Sequence, residues 1–349
     1  MSAGPAIPHA AIAAPPRLTP LPRARGPVTG ILLDVLRCAP GMPVELPVLE
    51  ATPALLADDD VQLGLYLCYE LHYGALAGVD DDWEWDPGLL AFRAVLERAF
   101  EAALRAAVPQ PDAPPSATDV GGALQALVAA DDAPPLSRFV ETRATGEQVR
   151  ELLVHRSAYQ LKEADPHSWA LPRLSGAPKA ALVEVQVDEY GGGRAERIHA
   201  ALFAKAMAAL GLDPRYGAYL DALPGVTLAT VNVMSLCGLH RRLRGAIVGH
   251  LAAFEMTSSL PNRRYGNGLR RLGCGADATD FFDEHVEADA VHEQVAAWDL
   301  AGGLARAEPE LVPDILWGAA ALLELEARWA RCLLDAWERG ECSLRARSA

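Results

Sequence analysis

The sequence predicts an all-α protein, and three observations carry that prediction. Alanine and leucine dominate the composition, arginine and glutamate are well represented, and β-branched residues are sparse. Apolar residues recur at helical spacing through most of the chain, and no run of useful length alternates apolar and polar residues as a half-buried strand would. At 349 residues the chain can bury a large core, in one sizeable domain or two smaller ones. Its formal net charge of -15 argues against nucleic acid or an anionic membrane surface as a partner. Arg241, Arg242 and Arg244 are too few to overturn that balance.

Taken in order, residues 1–42 read as a disordered Pro/Ala-rich tail. The opening MSAGPAIPHAAIAAPPRLTPLPRARGP never gives the unbroken apolar core of a secretory signal. Residues 43–108 read as an N-terminal helical extension, with helices in VQLGLYLCYELHYGALAG and PGLLAFRAVLERAFEAALRAA. Asp80, Asp81 and Asp82 mark the turn between them, and Pro87 suits a first helical turn. Trp83 and Trp85 are expected to staple the extension to the rest of the protein. Glu70 and His72, two residues apart on a helix, point in different directions and cannot share one metal.

Residues 109–119, PQPDAPPSATD, form the expected linker, since proline can neither donate a backbone hydrogen bond nor continue a helix. From 120 to 349 a helical bundle is expected. Its helices should fall at about 120–130, from 137 or 145 to 163, then 178–190, 194–210, 213–221, 225–239, 243–260, 265–273, 277–306 and 310–339. Gly302-Gly303 is expected to kink or end the penultimate one. The most apolar stretch, DILWGAAALLELEARWARCLLDAW, carries Glu324, Glu326, Arg328 and Arg331, which fits a core helix and not a membrane span. Six scattered cysteines without a C-x-x-C pair fit neither a disulfide framework nor a zinc ribbon, so a reducing cytoplasm is the expected setting.

The chemistry concentrates in FFDEHVEADAVH. Steps of four and three residues, at about 100° per residue, bring His285, Asp289 and His292 to one helical face. Two imidazoles and a carboxylate make a mixed nitrogen/oxygen ligand set suited to iron, manganese or zinc. A solvated polar face, with Glu284, Glu287 and Glu293 as ordinary neighbours, would produce the same letters. Upstream, Glu255 sits among Leu251, Ala252, Ala253 and Phe254, where a buried carboxylate needs a cation or hydrogen bonds to offset its desolvation. ALVEVQVDEYGGGRAERIHAALF offers Glu184, Asp188, Glu189, Glu196 and His199, with His199 placed to face inward beside Leu202 and Phe203. Spacing alone does not select the carboxylate partner of His199. Glu196/His199 and Asp289/His292 would also serve a ferritin-like pair of E-x-x-H-type motifs.

Glu, ten residues, His, then an isolated helix Glu, then thirty residues on His-x3-Asp-x2-His, resembles the haem-oxygenase-like diiron oxidase and oxygenase family. CYELHYGALAGVDDDWEWDPGLL, QLKEADPHSWALPRLSGAPKAALVEVQVDEYGGG and FFDEHVEADAVHEQVA are similar to its branch of iron-containing redox enzymes. The resemblance implies a haem-oxygenase-like helical bundle with six metal ligands: Glu189, His199, Glu255, His285, Asp289 and His292. Glu184 and Glu196 remain open as additions to, or replacements for, Glu189. It also implies two Fe(II)/Fe(III) ions as cofactors and O2 as co-substrate. A small organic substrate follows, whether amine, amino acid-derived or carrier-bound, with oxidation in specialised metabolism and room for an external electron donor or a homodimer.

Asp188, Glu196, Asp283 and Glu284 are the expected hydrogen-bond partners of the ligands. His240 and His250 are read as structural, and the loop around His167 as a rigid one near the site entrance. An iron-handling protein and a helical binding protein without a catalytic metal stand as the alternative functions.

Overall fold

The structure, a computed structural model, describes residues 18–114 and 116–346, apart from the side chains of residues 289–291. Among the described residues the regular structure is helical, and the extended pairing is confined to an isolated bridge between Thr19 and Leu76. Three helices precede the bundle: α1 (Pro27–Leu36), α2 (Asp59–Glu70) and α3 (Pro87–Ala107). The bundle itself comprises α4 (Val120–Ala129), α5 (Leu136–Thr142), α6 (Gly146–Gln160), α7 (Asp165–Ser168), α8 (Gly176–Glu189), α9 (His199–Ala209) and α10 (Gly225–Leu239). It continues through α11 (Arg244–Arg271), α12 (Ala276–Gln294), α13 (Gly302–Ala307) and α14 (Val312–Glu338).

Helix α1 corrects the tail expected over residues 1–42; residues 1–17 of that tail lie outside the described residues. PVTGILLDVL buries Val28, Leu32, Leu33 and Leu36, which the Ala/Pro/Arg text before it obscured. Asp60 of α2 accepts from the backbone N–H of Val28 at 2.8 Å and Thr29 at 2.9 Å, answering donors that the first turn of α1 leaves open. Trp83 is buried and donates its indole N–H to the Cys38 carbonyl at 3.1 Å. Trp85, expected to help staple the extension, is 64% exposed and rests against the His72 ring.

The extension seats through α2 on α10. Asn232 donates to the Gln62 backbone carbonyl at 2.8 Å and to its side-chain oxygen at 2.9 Å, all buried. Lys162, between α6 and α7, meets Glu70 at 3.0 Å with both side chains buried, and its ammonium lies 4.3 Å from the Tyr73 ring centroid. Removing either partner of such a pair would leave a costly lone charge. One apolar core runs from Val28 to Leu325, so extension and bundle share it across the Pro-rich segment.

Helix α11 is the axis of the bundle, with α5, α10, α12 and α14 packed on it. Two glycines set its approach to α14. A Cβ on Gly249 would fall 1.8 Å from the Ile315 carbonyl oxygen, and one on Gly318 would fall 2.0 Å from that of Ala246. The helices expected at 243–260 and 265–273 are one, with Pro261 inside. Proline removes one intrahelical bond. Packing on both flanks carries the helix through it, and Thr257 bonds back to the Ala253 carbonyl at 2.7 Å. A short turn at 272–275 returns α12 along α11, and a π-helical segment, Val295–Ala301, joins α12 to α13 at Gly302. The helix expected at 213–221 is instead a loop ending in one 3-10 turn, Leu220–Ala222. No described helix is long and apolar enough to cross a membrane.

Candidate metal centre

Five segments converge between α6, α8, α9, α11 and α12. Glu163 follows α6 in the turn 161–164, where Ala164 takes a left-handed φ of 71° and redirects the chain into α7. Glu189 ends α8, and His199 begins α9. The loop between them folds back so tightly that a Cβ on Gly191, itself at φ +68°, would lie 2.6 Å from the Arg197 carbonyl carbon. Only glycine tolerates that combination. Its result is contact between two helix ends: His199 Nδ1 lies 2.9 Å from Glu189 Oε2.

Glu255 is buried midway along α11, facing α12. His285 and His292, seven residues apart, are separated by about 10 Å along the α12 axis and so serve two positions. His285 Nδ1 donates to the Phe281 carbonyl at 2.8 Å, which fixes its tautomer and leaves Nε2 toward Glu163 Oε1 at 3.5 Å. His292 Nε2 donates to Asp188 at 3.0 Å, leaving Nδ1 toward Glu255 Oε2 at 3.6 Å.

These side chains form two groups that could each hold a metal ion. One contains Glu163, Glu189, His199 and His285; the other contains Glu189, Glu255 and His292, with ligand atoms in each group within 4.8 Å of one another. Glu189 belongs to both. The structure thus brings together five of the six residues expected from the sequence and adds Glu163, which sequence reasoning missed. Asp289 lies in α12, but its side chain is outside the described residues.

Other expected participants are elsewhere. Glu184 and Glu196 are exposed, so neither stands in for Glu189, and Glu196 lies outside α9 and forms no helical pair with His199. Of the expected supporting carboxylates, Asp188 reaches a ligand, while Glu284 pairs with Arg197 and Asp283 with Arg270. His240 binds Glu97 at 2.9 Å, a structural contact. His167, expected in a rigid loop, is buried on the short helix α7, and its Nε2 lies 3.2 Å from His250 Nδ1.

Burial and neighbouring charge pull against one another within the centre. Burial pushes the Glu163 carboxyl above its ordinary value, with His285 opposing the shift. Burial likewise raises Glu255, and Glu189 adds repulsion. For His292 burial works downward, but the Glu255 carboxylate outweighs it, with Asp188 and Glu189 adding, and the imidazole rises to about 9. Burial, then the Glu163, Glu189 and Glu255 carboxylates, holds the nearby Tyr159 phenol well above its ordinary value. Glu163 Oε2 and His292 Nδ1 are buried without a hydrogen-bond partner among the described residues. Carboxylate oxygens and imidazole nitrogens left so suit a divalent cation, and this donor set fits iron.

Compared with known proteins, the chain matches the family model for iron-containing redox enzymes over residues 150–327, just over half its length and all of both groups. A search among curated proteins gives no match. An iron-dependent redox role is therefore what the match and the buried histidine–glutamate centre support together. The chain belongs to the iron-containing redox enzymes of haem-oxygenase-like fold.

Proposed function

We propose that the protein is a non-haem diiron oxidase or oxygenase that uses O2 to oxidise a small organic substrate, amine, amino acid-derived or carrier-bound, in specialised metabolism. The observation that carries this reading is Glu189, shared between the two groups as a carboxylate bridging two ions would be. Glu163 and His285 with His199 would hold one ion, and Glu255 and His292 the other. Asp289 is proposed as a further ligand from its place on α12. Bound iron would supply the one-electron chemistry with O2 that side chains lack.

The chain's own residues supply position and exclusion of water. The Phe281 carbonyl orients His285, and Asp188 orients His292. Glu163, Glu189 and Glu255 bring three buried carboxylates, and Asp289 would bring a fourth, together matching the charge of two ferrous ions. The proton held by His292 must leave as a metal arrives, so loading releases acid. An external electron donor would complete turnover when the substrate does not supply every electron. The ferritin-like alternative is disfavoured by the exposed Glu196.

Anaerobic titration with ferrous iron should saturate at about two irons per chain. Glu163→Ala should leave about one tightly bound, whereas Glu189→Ala should weaken both. Uptake of a single iron by the unaltered protein, or full uptake by Glu189→Ala, would sink the diiron reading.

A further inference from the structure

A cavity of about 780 Å³ opens where the extension meets the bundle. Glu70 and Tyr73 bring the end of α2 and the turn after it to the wall, and Trp169, Tyr190 and Tyr216 bring the bundle. No residue of the two metal groups lines it, so a molecule held there does not touch those ligands. The volume is that of a small-molecule site.

What this wall offers is mostly aromatic surface. The Tyr73 and Trp169 rings meet edge to face, their centroids 6.4 Å apart and their planes at 70°. The phenol hydroxyls are engaged by the protein: Tyr73 with Ser235 at 3.0 Å, Tyr190 with Asp165 at 2.9 Å and Tyr216 with Glu70 at 2.7 Å. Those bonds fix the rings and leave their π surface for a ligand.

The charges of the wall select the sign of that ligand. Lys162 is 1% exposed, lies 3.0 Å from Glu70, and sits 4.3 Å and 4.7 Å from the Tyr73 and Tyr66 ring centroids. Its ammonium is therefore closed to an outside anion, and it already uses these tyrosine rings as partners for a positive charge. Burial holds the His72 imidazole below its ordinary value, so it adds no charge near neutral pH. Asp165, half-buried, brings a second carboxylate to the same wall. Aromatic rings beside a carboxylate favour a cation.

We propose that this cavity is a second ligand site, and that it takes a small organic cation whose ammonium group lies among the Tyr73, Trp169 and Tyr190 rings beside Asp165. Such a ligand joins extension to bundle, as the Lys162–Glu70 pair does. The site goes beyond the oxidation proposed above and does not depend on it.

The test is calorimetric titration of the full-length protein with three probes of one shape: choline, its uncharged isostere 3,3-dimethylbutan-1-ol, and the anion 3,3-dimethylbutanoate. Salt at about 0.15 M screens the general pull of an acidic surface on any cation. Choline should bind about fivefold or more tighter than the alcohol, with the anion weakest. Asp165→Asn should weaken choline by about fivefold and the alcohol by less than about twofold. Trp169→Leu removes a ring without changing charge, and should bring choline close to the alcohol; it stands as the test should Asp165→Asn fail to fold by circular dichroism. Equal binding of choline and the alcohol by the unaltered protein, preference for the anion, or an unchanged choline preference in folded Trp169→Leu would overturn the proposal.

Discussion

Glu163 shows at the residue scale where sequence reasoning stopped. In QLKEADPH it stands beside Lys162 and before Asp165-Pro166, the pattern of a solvated helix end, and nothing in that text distinguishes an inward carboxylate. Its role comes from the left-handed Ala164 and from the distant His285, neither visible as spacing. His285, His292 and Glu255 were legible because helical periodicity fixes the face of a long helix. Histidines outside the centre set the acid response. Burial lowers His155 from 6.5 to about 3, and lowers His167 to about 3 as well. Between those values the unfolded chain takes a proton that the folded chain refuses, so stability is complete above about pH 6.5 and is lost as pH falls. At pH 5 each histidine should cost about 2 kcal/mol relative to pH 7. Urea midpoints at the two pH values check this, and His155→Gln should shrink the gap.

At the scale of elements, the helices of the bundle were legible from apolar spacing, but three junctions were not. Pro261 marked a break that packing against α5, α12 and α14 overrides. Gly302-Gly303 marked an end, yet the departure from α-helix begins earlier, at Val295, in a π-helical turn just beyond His292. Such turns are frequent beside functional sites. The helices expected at 178–190 and 194–210 left a break at the three glycines after Tyr190, without revealing that the loop there folds back to join Glu189 and His199. That loop yields a sharp expectation. Gly191→Ala puts a methyl into the Arg197 backbone at a left-handed φ, and should cost more than about 1 kcal/mol of stability. Iron affinity should fall by about tenfold, as it does when support for a metal ligand is disturbed. Gly192→Ala, whose Cβ meets nothing within 4 Å, should retain more affinity in the same iron titration.

At the scale of the whole molecule, composition announced an all-helical protein, but the relation of extension to bundle was hidden. Pro-rich text between residues 109 and 119 reads as a separator, while the core passes beneath it without interruption. Deleting residues 1–108 should therefore uncover the face of α10 that carries Asn232 and Ser235 and strip Lys162 of Glu70. Such a chain is expected to lose cooperative unfolding by circular dichroism and to take up little iron; a stable, two-iron truncation would refute this. Lys162 and Glu163 are adjacent in sequence yet turned to different tasks, one toward the extension and one toward the centre. A single peptide bond thus couples docking to metal retention. During synthesis the first hundred residues emerge before the bundle, so the partner that Lys162 needs is already waiting when the turn carrying Glu163 appears. A nascent chain whose leading segment is damaged lacks that partner, and its unfinished ligand cage has little hold on a redox-active ion.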